Sequence, residues 1–195
     1  EGEWRAILPT RWQGLSWQVL NGAPLVLVGL VLMGLRRQIK TRLANLHSQI
    51  GRLKSDTQLH TPKAVLFNAL LALPGPLALA GIGVGLLGAV GPLATSVAPA
   101  LLQLALSWGV VAWVRRLLVA DGVAERHFTW SPQYTARLRQ LLGGLGIALV
   151  PVIAIAAMSG EMETPLAQRP VALALLSLGL IAMSWWLTQL ILAHI

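Results

Sequence analysis

The chain contains no cysteine, and only 11% of its 195 residues carry a charge. The lack of cysteine excludes internal disulfides and leaves the redox compartment undetermined. Soluble domains contain about 25% charged residues, whereas this chain is 55% hydrophobic and has a mean hydropathy of +0.68. Because a soluble core of this length cannot bury so much apolar surface, we expect lipid to be the solvent.

Ionisable residues are also missing from the middle of the long apolar segments. Ion pumps and proton-coupled transporters usually place such residues at mid-membrane. The polar residues of these segments are mainly Asn21, Asn68, Gln103 and Gln189, and amides of this kind more often join helices than bind substrate. The sequence therefore disfavours a pump.

What the sequence does contain is a series of apolar segments separated by charged or turn-forming residues. We predict an all-α, polytopic membrane protein with about five transmembrane helices in hairpins and a periplasmic N-terminus. Residues 1–17 form a periplasmic or interfacial lead-in, and residues 18–195 form the transmembrane domain. The predicted spans are 18–35, 64–89, 99–114, 138–158 and 171–192. Tryptophans typical of a membrane interface occur in the lead-in at Trp4, Trp12 and Trp17.

Lysine and arginine are distributed unevenly along the chain. Two loops, 36–63 and 115–139, hold twelve of the 15 basic residues, which predicts that both loops are cytoplasmic. This placement accounts for the net charge of +8 without a nucleic-acid partner. The expected partners are membrane lipids, since a basic residue near an anionic surface gains about 1 kcal/mol. The candidate headgroup contacts are Arg36, Arg37, Lys40, Arg42, Arg115 and Arg116.

The first basic loop also has a helical apolar stripe. Its members recur at spacings of four and three, which predicts that the first span continues beyond the membrane as an amphipathic helix. A coiled coil, a helix on the inner leaflet and packing against a neighbouring loop all agree with so short a stripe. The stripe consists of Ile39, Leu43, Leu46, Ile50 and Leu53.

The second predicted span combines prolines with a glycine series. Pro74, Gly75 and Pro76 predict a kink or break, because proline lacks the amide hydrogen that a helix needs. Gly81 and Gly85 form a pair of small residues one turn apart that permits close helix contact. A glycine-rich segment can also line a pore, and the sequence alone leaves both interpretations open.

The segment Asp121–Trp130 interrupts two apolar runs with charged and aromatic residues. Asp121 and Gly122 are typical of a turn, and Glu125 is expected to balance neighbouring arginines. His127, Phe128 and Trp130 are predicted to dock at the inner membrane interface and hold two spans in register. No histidine has a second ligand at helical spacing, so neither a metal site nor a catalytic residue is predicted.

Three features together resemble one family. They are the basic segment leading into Thr61-Pro62-Lys63-Ala64, the Ala72-Leu-Pro-Gly-Pro-Leu77 span with its following hairpin, and the Asp121–Trp130 loop. This combination resembles the inner-membrane domain of the large bacterial mechanosensitive channels of the small-conductance superfamily, the potassium-dependent and miniconductance types. The loop is the most specific part of the resemblance.

The resemblance implies a homo-heptameric channel of the bacterial inner membrane that releases ions and small solutes on hypo-osmotic shock. The chain would supply lipid-facing, tension-sensing helices outside the pore, and the pore helix and a large periplasmic domain would lie in other parts of a longer protein. The resemblance implies no cofactor and no enzymatic activity. Two alternatives remain: a non-conducting membrane scaffold, and a lipid-modifying enzyme that uses Glu125, Arg126 and His127.

Overall fold

The computed structural model describes residues 3–49, 60–87, 92–159 and 170–192, with side chains over 20–46, 61–87, 97–126, 128–157, 170 and 172–192. These residues form seven helices and no strand, so the predicted all-α class is confirmed. The helices are α1 (Glu3–Gln49), α2 (His60–Ala72), α3 (Pro74–Leu86), α4 (Pro92–Leu117), α5 (Val123–Phe128), α6 (Pro132–Ser159) and α7 (Pro170–Leu192).

Four helical segments are long and apolar enough to cross a membrane, and α2 with α3 makes a fifth if the bent pair counts as one span. This agrees with the prediction of a polytopic protein with about five spans. The side of the membrane on which each loop lies stays a prediction. The four straight candidates are Leu20–Leu46, Val97–Leu117, Pro132–Ala157 and Ala172–Leu192.

The helix that contains the predicted third span begins earlier than the span itself. The turn expected over 91–98 is not found, because α4 begins at Pro92 and Pro99 lies inside it. The part of α4 that could cross a membrane, Val97–Leu117, begins near the predicted residue 99. Proline is equally acceptable at the first position of a helix in either place, so the pattern could not choose between them. Inside α4, Pro99 removes one backbone hydrogen bond, and the neighbouring Ala98 and Ala100 are buried against other helices.

α1 is one continuous helix that joins the predicted lead-in, the first span and the amphipathic extension. In the extension Ile39 is buried, and Leu43 and Leu46 are half-buried. The described part of the stripe therefore packs against other parts of the protein. Of the three interpretations, this agrees with packing against a neighbouring loop. The three interfacial tryptophans of the lead-in, together with Ile50 and Leu53, lie outside the described side chains.

The long helices form an open row rather than a closed bundle. Along this row α1 packs against α3, α3 against α4, α4 against α6, and α6 against α7, while α2 lies against α1 and α4. Each long helix therefore leaves much of its surface uncovered. In each of the four straight candidate spans, at most 17% of an 18-residue apolar stretch is buried within the protein. Large apolar side chains such as Leu106, Ile147 and Ile181 are more than 60% exposed. Lipid or further protein must cover these surfaces.

Candidate functional site

α1 and α3 approach each other backbone to backbone. A methyl group on Gly22 would overlap the carbonyl oxygen of Gly81 and would lie 3.0 Å from the amide nitrogen of Gly85. A methyl group on Gly81 would lie 2.8 Å from the carbonyl oxygen of Gly22 and 2.6 Å from Cγ2 of Val26. These distances are shorter than ordinary carbon contacts, so the crossing requires glycine at positions 22 and 81. The predicted pair Gly81 and Gly85 thus faces α1.

α3 uses a different glycine against its other neighbour. A methyl group on Gly83 would lie 3.1 Å from Cγ of Leu102 and 3.3 Å from the carbonyl oxygen of Ala98, both on α4. The glycine series therefore serves two helix contacts on two faces of α3. Gly88, which also belongs to the series, lies outside the described residues.

The chain bends by 51° between α2 and α3, immediately before Pro74. Pro74 and Pro76 have no amide hydrogen, so two carbonyl groups one turn earlier lose their helical partners. The regular pattern resumes when the amide of Leu77 donates to the carbonyl oxygen of Leu73 at 2.9 Å. The break therefore lies where the sequence placed it, while its role as a hinge stays a prediction.

The ring of Trp108 packs on this break. A methyl group on Gly75 would lie 2.6 Å from Cη2 of Trp108, so α4 contacts α3 through an indole laid against bare backbone. Beside this contact, α2, α3 and α4 enclose an apolar cleft of about 420 Å³. The apolar cleft is lined by residues that include Leu73, Pro76, Leu102, Gly109 and Trp113.

α6 and α7 meet through an aromatic residue. A methyl group on Gly144 would overlap the indole ring of Trp186, and one on Gly179 would lie 2.7 Å from Cγ2 of Val152. Trp185, the neighbouring residue, is 64% exposed. The two tryptophans therefore have different roles, since Trp186 fills the space between the helices and Trp185 faces outward.

The predicted headgroup contacts occupy two kinds of position. The four basic residues on α1, Arg36, Arg37, Lys40 and Arg42, are exposed. Arg115 is also exposed, and a methyl group on Gly143 of α6 would lie 3.2 Å from its guanidinium carbon. Arg116 is half-buried, and the positive charges of Arg36 and Arg139 act on it. The six predicted contacts therefore lie on α1 and α4.

Two of these residues line a cavity of about 380 Å³ with both charged and apolar walls, between α1, α2 and the turn after α4. We call it the basic cavity. Its polar lining residues are Lys40, Asn68, Arg116, Asp121, Gly122 and Arg126.

A tight turn leads from α4 into α5. Asp121 has a positive φ of 55°, and the amide of Gly122 donates to the carbonyl oxygen of Val119 at 2.8 Å. A methyl group on Gly122 would lie 2.5 Å from that oxygen, so the turn requires glycine. The carboxylate of Asp121 pairs with Arg126 at 3.4 Å. The expected turn at Asp121 and Gly122 is therefore present.

Glu125 joins this loop to α6. Its Oε2 accepts a hydrogen bond from the amide of Asp121 at 2.8 Å, and its Oε1 accepts one from the hydroxyl of Thr135 at 2.5 Å. The Thr135 bond first, and then the Asp121 bond, hold the pKa of Glu125 below its ordinary value of 4.5. Its described hydrogen bonds therefore involve a hydroxyl and an amide, whereas the sequence suggested that it balances arginines.

α6 begins with the cap that Ser131-Pro132 predicts. The amide of Tyr134 donates to Oγ of Ser131 at 3.3 Å, and Pro132 takes the first helical position. Trp130 lies edge-on to Tyr134, with ring centroids 5.6 Å apart. Phe128 is 58% exposed and Trp130 43%. The loop therefore contacts α6 through the Glu125–Thr135 hydrogen bond and the Trp130–Tyr134 ring pair. Docking of the aromatic residues at the membrane stays a prediction, and the side chain of His127 lies outside those described.

Several of these residues could not be found from the sequence. Gly22 is an isolated glycine in an apolar run, and nothing local indicates its partner across the helix row. Gly144 belongs to a glycine series with Gly143 and Gly146 that predicts a close helix crossing, but nothing local indicates that its partner is Trp186. Thr135 resembles any surface threonine of a first helical turn, yet it is 1% exposed. Within the described part of the chain, no three histidine or acidic side chains are close enough to hold a metal ion.

Comparison with known proteins places these features in a family. Residues 12–195 match the family described as "Mechanosensitive ion channel inner membrane domain 1". The mechanosensitive channel MscK of Escherichia coli (strain K12) is 30% identical over 141 residues, which are 72% of this chain. The matched region spans only 13% of that relative. No solved structure matches the chain.

Proposed function

This chain belongs to the family of mechanosensitive ion channel inner membrane domains, and from that membership we propose that it forms lipid-facing, tension-sensing helices of a mechanosensitive channel. The family that the loop motif resembles is thereby confirmed, and the chain is a multi-pass inner-membrane protein. In the proposed channel these helices lie outside the pore of a homo-heptamer. The channel opens on hypo-osmotic shock and releases ions and small solutes.

The observation that carries this proposal is the open row of helices. A closed bundle would present one outer face to lipid, whereas each helix of the row leaves much of its surface exposed. Membrane tension favours whichever state occupies more area in the bilayer. A single row can change its area by bending, because few helices contact more than their immediate neighbours.

The α2–α3 break is the proposed site of that bending. α3 is fixed to α1 by backbone contacts at Gly22 and Gly81, so the pair moves as one body. α2 lies against α1 and α4, but the segment that connects it to α3 lacks two helical hydrogen bonds. The apolar cleft beside the break is suited to a lipid acyl chain, which would favour the closed angle until tension removes it.

Patch-clamp recording of the full-length protein tests the function itself. Spheroplasts that lack other mechanosensitive channels should show tension-dependent currents when they express this protein and none when they do not. A protein that reaches the inner membrane, forms oligomers and passes no current at lytic tension would instead be the non-conducting scaffold.

Pro74→Ala tests the break. The substitution restores an amide hydrogen that can donate one turn back, and therefore straightens and stiffens the α2–α3 junction. We expect a higher tension threshold with unchanged single-channel conductance. Gly75 is left in place, because a methyl group there would move Trp108. The effect of a changed α3–α4 contact would then be mixed with the effect of the straightened junction. An unchanged threshold would remove the break from the gating mechanism.

A reversible cross-link provides a sharper test, since the chain has no cysteine of its own. A Cβ on Gly109 would lie 3.6 Å from Cβ of Pro76, within the range of about 3.5–4.5 Å that disulfides require. In Pro76→Cys/Gly109→Cys, oxidation should raise the threshold and reduction should restore it. The matched pair Val111→Cys/Gly146→Cys, with its Cβ atoms 3.8 Å apart, joins α4 to α6 away from the break and should change the threshold less.

A further inference from the structure

The basic cavity carries more positive charge than its own carboxylate can balance. Lys40 from α1, Arg116 from α4 and Arg126 from the loop line it, together with the single carboxylate of Asp121. Asp121 already pairs with Arg126 at 3.4 Å. Within the described residues neither Lys40 nor Arg116 has a carboxylate partner. An anion in this cavity would supply the missing counter-charge.

The positive charge extends beyond the cavity wall. Arg36 of α1 and Arg139 of α6 both act on Arg116. Arg36 on α1 and Arg139 on α6 therefore each repel the half-buried guanidinium of Arg116. Bringing like charges together destabilises the folded protein unless an anion binds among them.

A buried amide in the same cavity is an independent sign of a ligand. Asn68 is only 4% exposed and lines the cavity. Its Nδ2 donates to the carbonyl oxygen of Ala64 at 2.9 Å, and this is its one hydrogen bond to the described part of the protein. Its Oδ1 and second N–H group therefore have no partner among the described residues, although buried amides rarely lack one.

We propose that the basic cavity binds the phosphate headgroup of an anionic phospholipid from the cytoplasmic leaflet. Lys40 and Arg116 neutralise the phosphate, and the free N–H group of Asn68 donates to one of its oxygens. The Oδ1 atom of Asn68 can accept from a hydroxyl of the headgroup. This inference rests on the proposed function and on the predicted cytoplasmic placement of both basic loops.

The wall of the cavity favours a lipid over a free anion. Between the charged residues lie Leu43, Ala44, Leu71 and Val119, which suit the glycerol and ester portion of a phospholipid rather than bulk water. The bound headgroup would bridge α1, α2 and α4. It would therefore bias the angle between α2 and the fixed α1–α3 pair.

The test is the number of lipids retained by the full-length protein. The protein is reconstituted in nanodiscs of phosphatidylcholine with or without phosphatidylglycerol. It is then released from the nanodiscs, and native mass spectrometry measures the mass of the lipids that stay bound. Wild type should retain phosphatidylglycerol in preference to phosphatidylcholine. Each of Lys40→Gln and Arg116→Gln should lower the retained phosphatidylglycerol about fivefold, and Asn68→Leu should lower it without any change in charge.

Arg137→Gln is the matched control. It removes an equal charge from the same basic loop, at an exposed position that does not line the cavity, and should leave retention unchanged. An equal loss in Arg137→Gln would mean a diffuse surface charge and would overturn the site. Displacement of the lipid by inorganic phosphate alone would assign the cavity to a soluble anion and overturn the lipid assignment.

Recordings of the same variants separate this inference from the proposed function. Selective lipid loss in the cavity variants, in a protein that never passes a tension-dependent current, would remove the channel and leave the site in place. Normal currents with wild-type lipid retention in every variant would leave the channel in place and remove the site.

Discussion

The α1–α3 contact and the α6–α7 contact both depend on glycine, but they differ in what the glycine meets. Gly22 faces the backbone of Gly81, whereas Gly144 faces the movable indole of Trp186. Backbone atoms in two regular helices cannot move aside unless the helices separate. A side chain can rotate, so the second contact can adjust while the first can only hold or open.

Gly22→Ala should have the largest effect. The added methyl group overlaps the carbonyl oxygen of Gly81, so α1 and α3 must separate at a cost of about 3 kcal/mol, the upper end for overpacking. Thermal unfolding of the full-length protein in detergent, followed by tryptophan fluorescence, measures the loss. Gly34→Ala is the control on the same helix, because nothing lies within 4 Å of its methyl group. If both variants unfold alike, the close crossing is not important.

Gly144→Ala should cost less, about 1–2 kcal/mol, because the ring of Trp186 can rotate away. The comparison predicts rescue by a second substitution. Trp186→Leu should remove the clash. The double variant should therefore lose less free energy of unfolding than the two single variants lose together. Additive losses in the same unfolding assay would show that α7 is held by other contacts, and the contrast with α1–α3 would disappear.

Thr135→Val examines a contact that depends on a hydrogen bond instead of a glycine. The hydroxyl of Thr135 helps to lower the pKa of Glu125, so the ionised carboxylate stabilises the folded loop above the ordinary value of 4.5 and loses this effect as the pH falls through the lowered pKa. The stability difference between wild type and Thr135→Val should therefore be full at pH 7 and shrink below about pH 4.5. We expect it to be smaller than either glycine effect, since Glu125 is only half-buried and water can solvate its carboxylate when the hydroxyl is removed.

Thermal unfolding of wild type and Thr135→Val, measured from about pH 7 down to about pH 3, tests this dependence. Thr129→Val serves as the control, because the hydroxyl of Thr129 bonds only to the adjacent carbonyl group of Phe128 in the described structure. A difference for Thr135→Val that is constant down to pH 3 would mean that the hydroxyl stabilises the helix start and not the Glu125 carboxylate.

Gly109→Ala should have the smallest effect. Its methyl group would make ordinary contacts at 3.6 Å with Pro76, and alanine stabilises a helix by up to about 1 kcal/mol relative to glycine. We expect unchanged or slightly raised thermal stability. A loss comparable to that of Gly144→Ala would show that the space between α3 and α4 is tighter than the structure indicates.

The sequence predicted what local chemistry determines. The break at Pro74 and Pro76 follows from two missing amide hydrogens, and the start of α6 follows from the Ser131 cap. The partner of Gly81 could not be predicted, because Gly22 becomes relevant only when two helices cross in space. Asn68 is visible in the sequence as a polar residue of a span, but the cavity that it lines also needs α1 and the loop, whose positions no periodicity in α2 predicts.

The open row has a further consequence for how the protein is made. Every long helix packs against one that is adjacent or next but one in the chain, so the contact order among the membrane helices is low. Each helical hairpin can therefore pack during synthesis, before helices that are distant in the chain have been made. A defect in α7 should therefore leave the earlier helices of this row assembled, whereas a defect at the α1–α3 crossing disturbs a contact that forms before those of α4, α6 and α7.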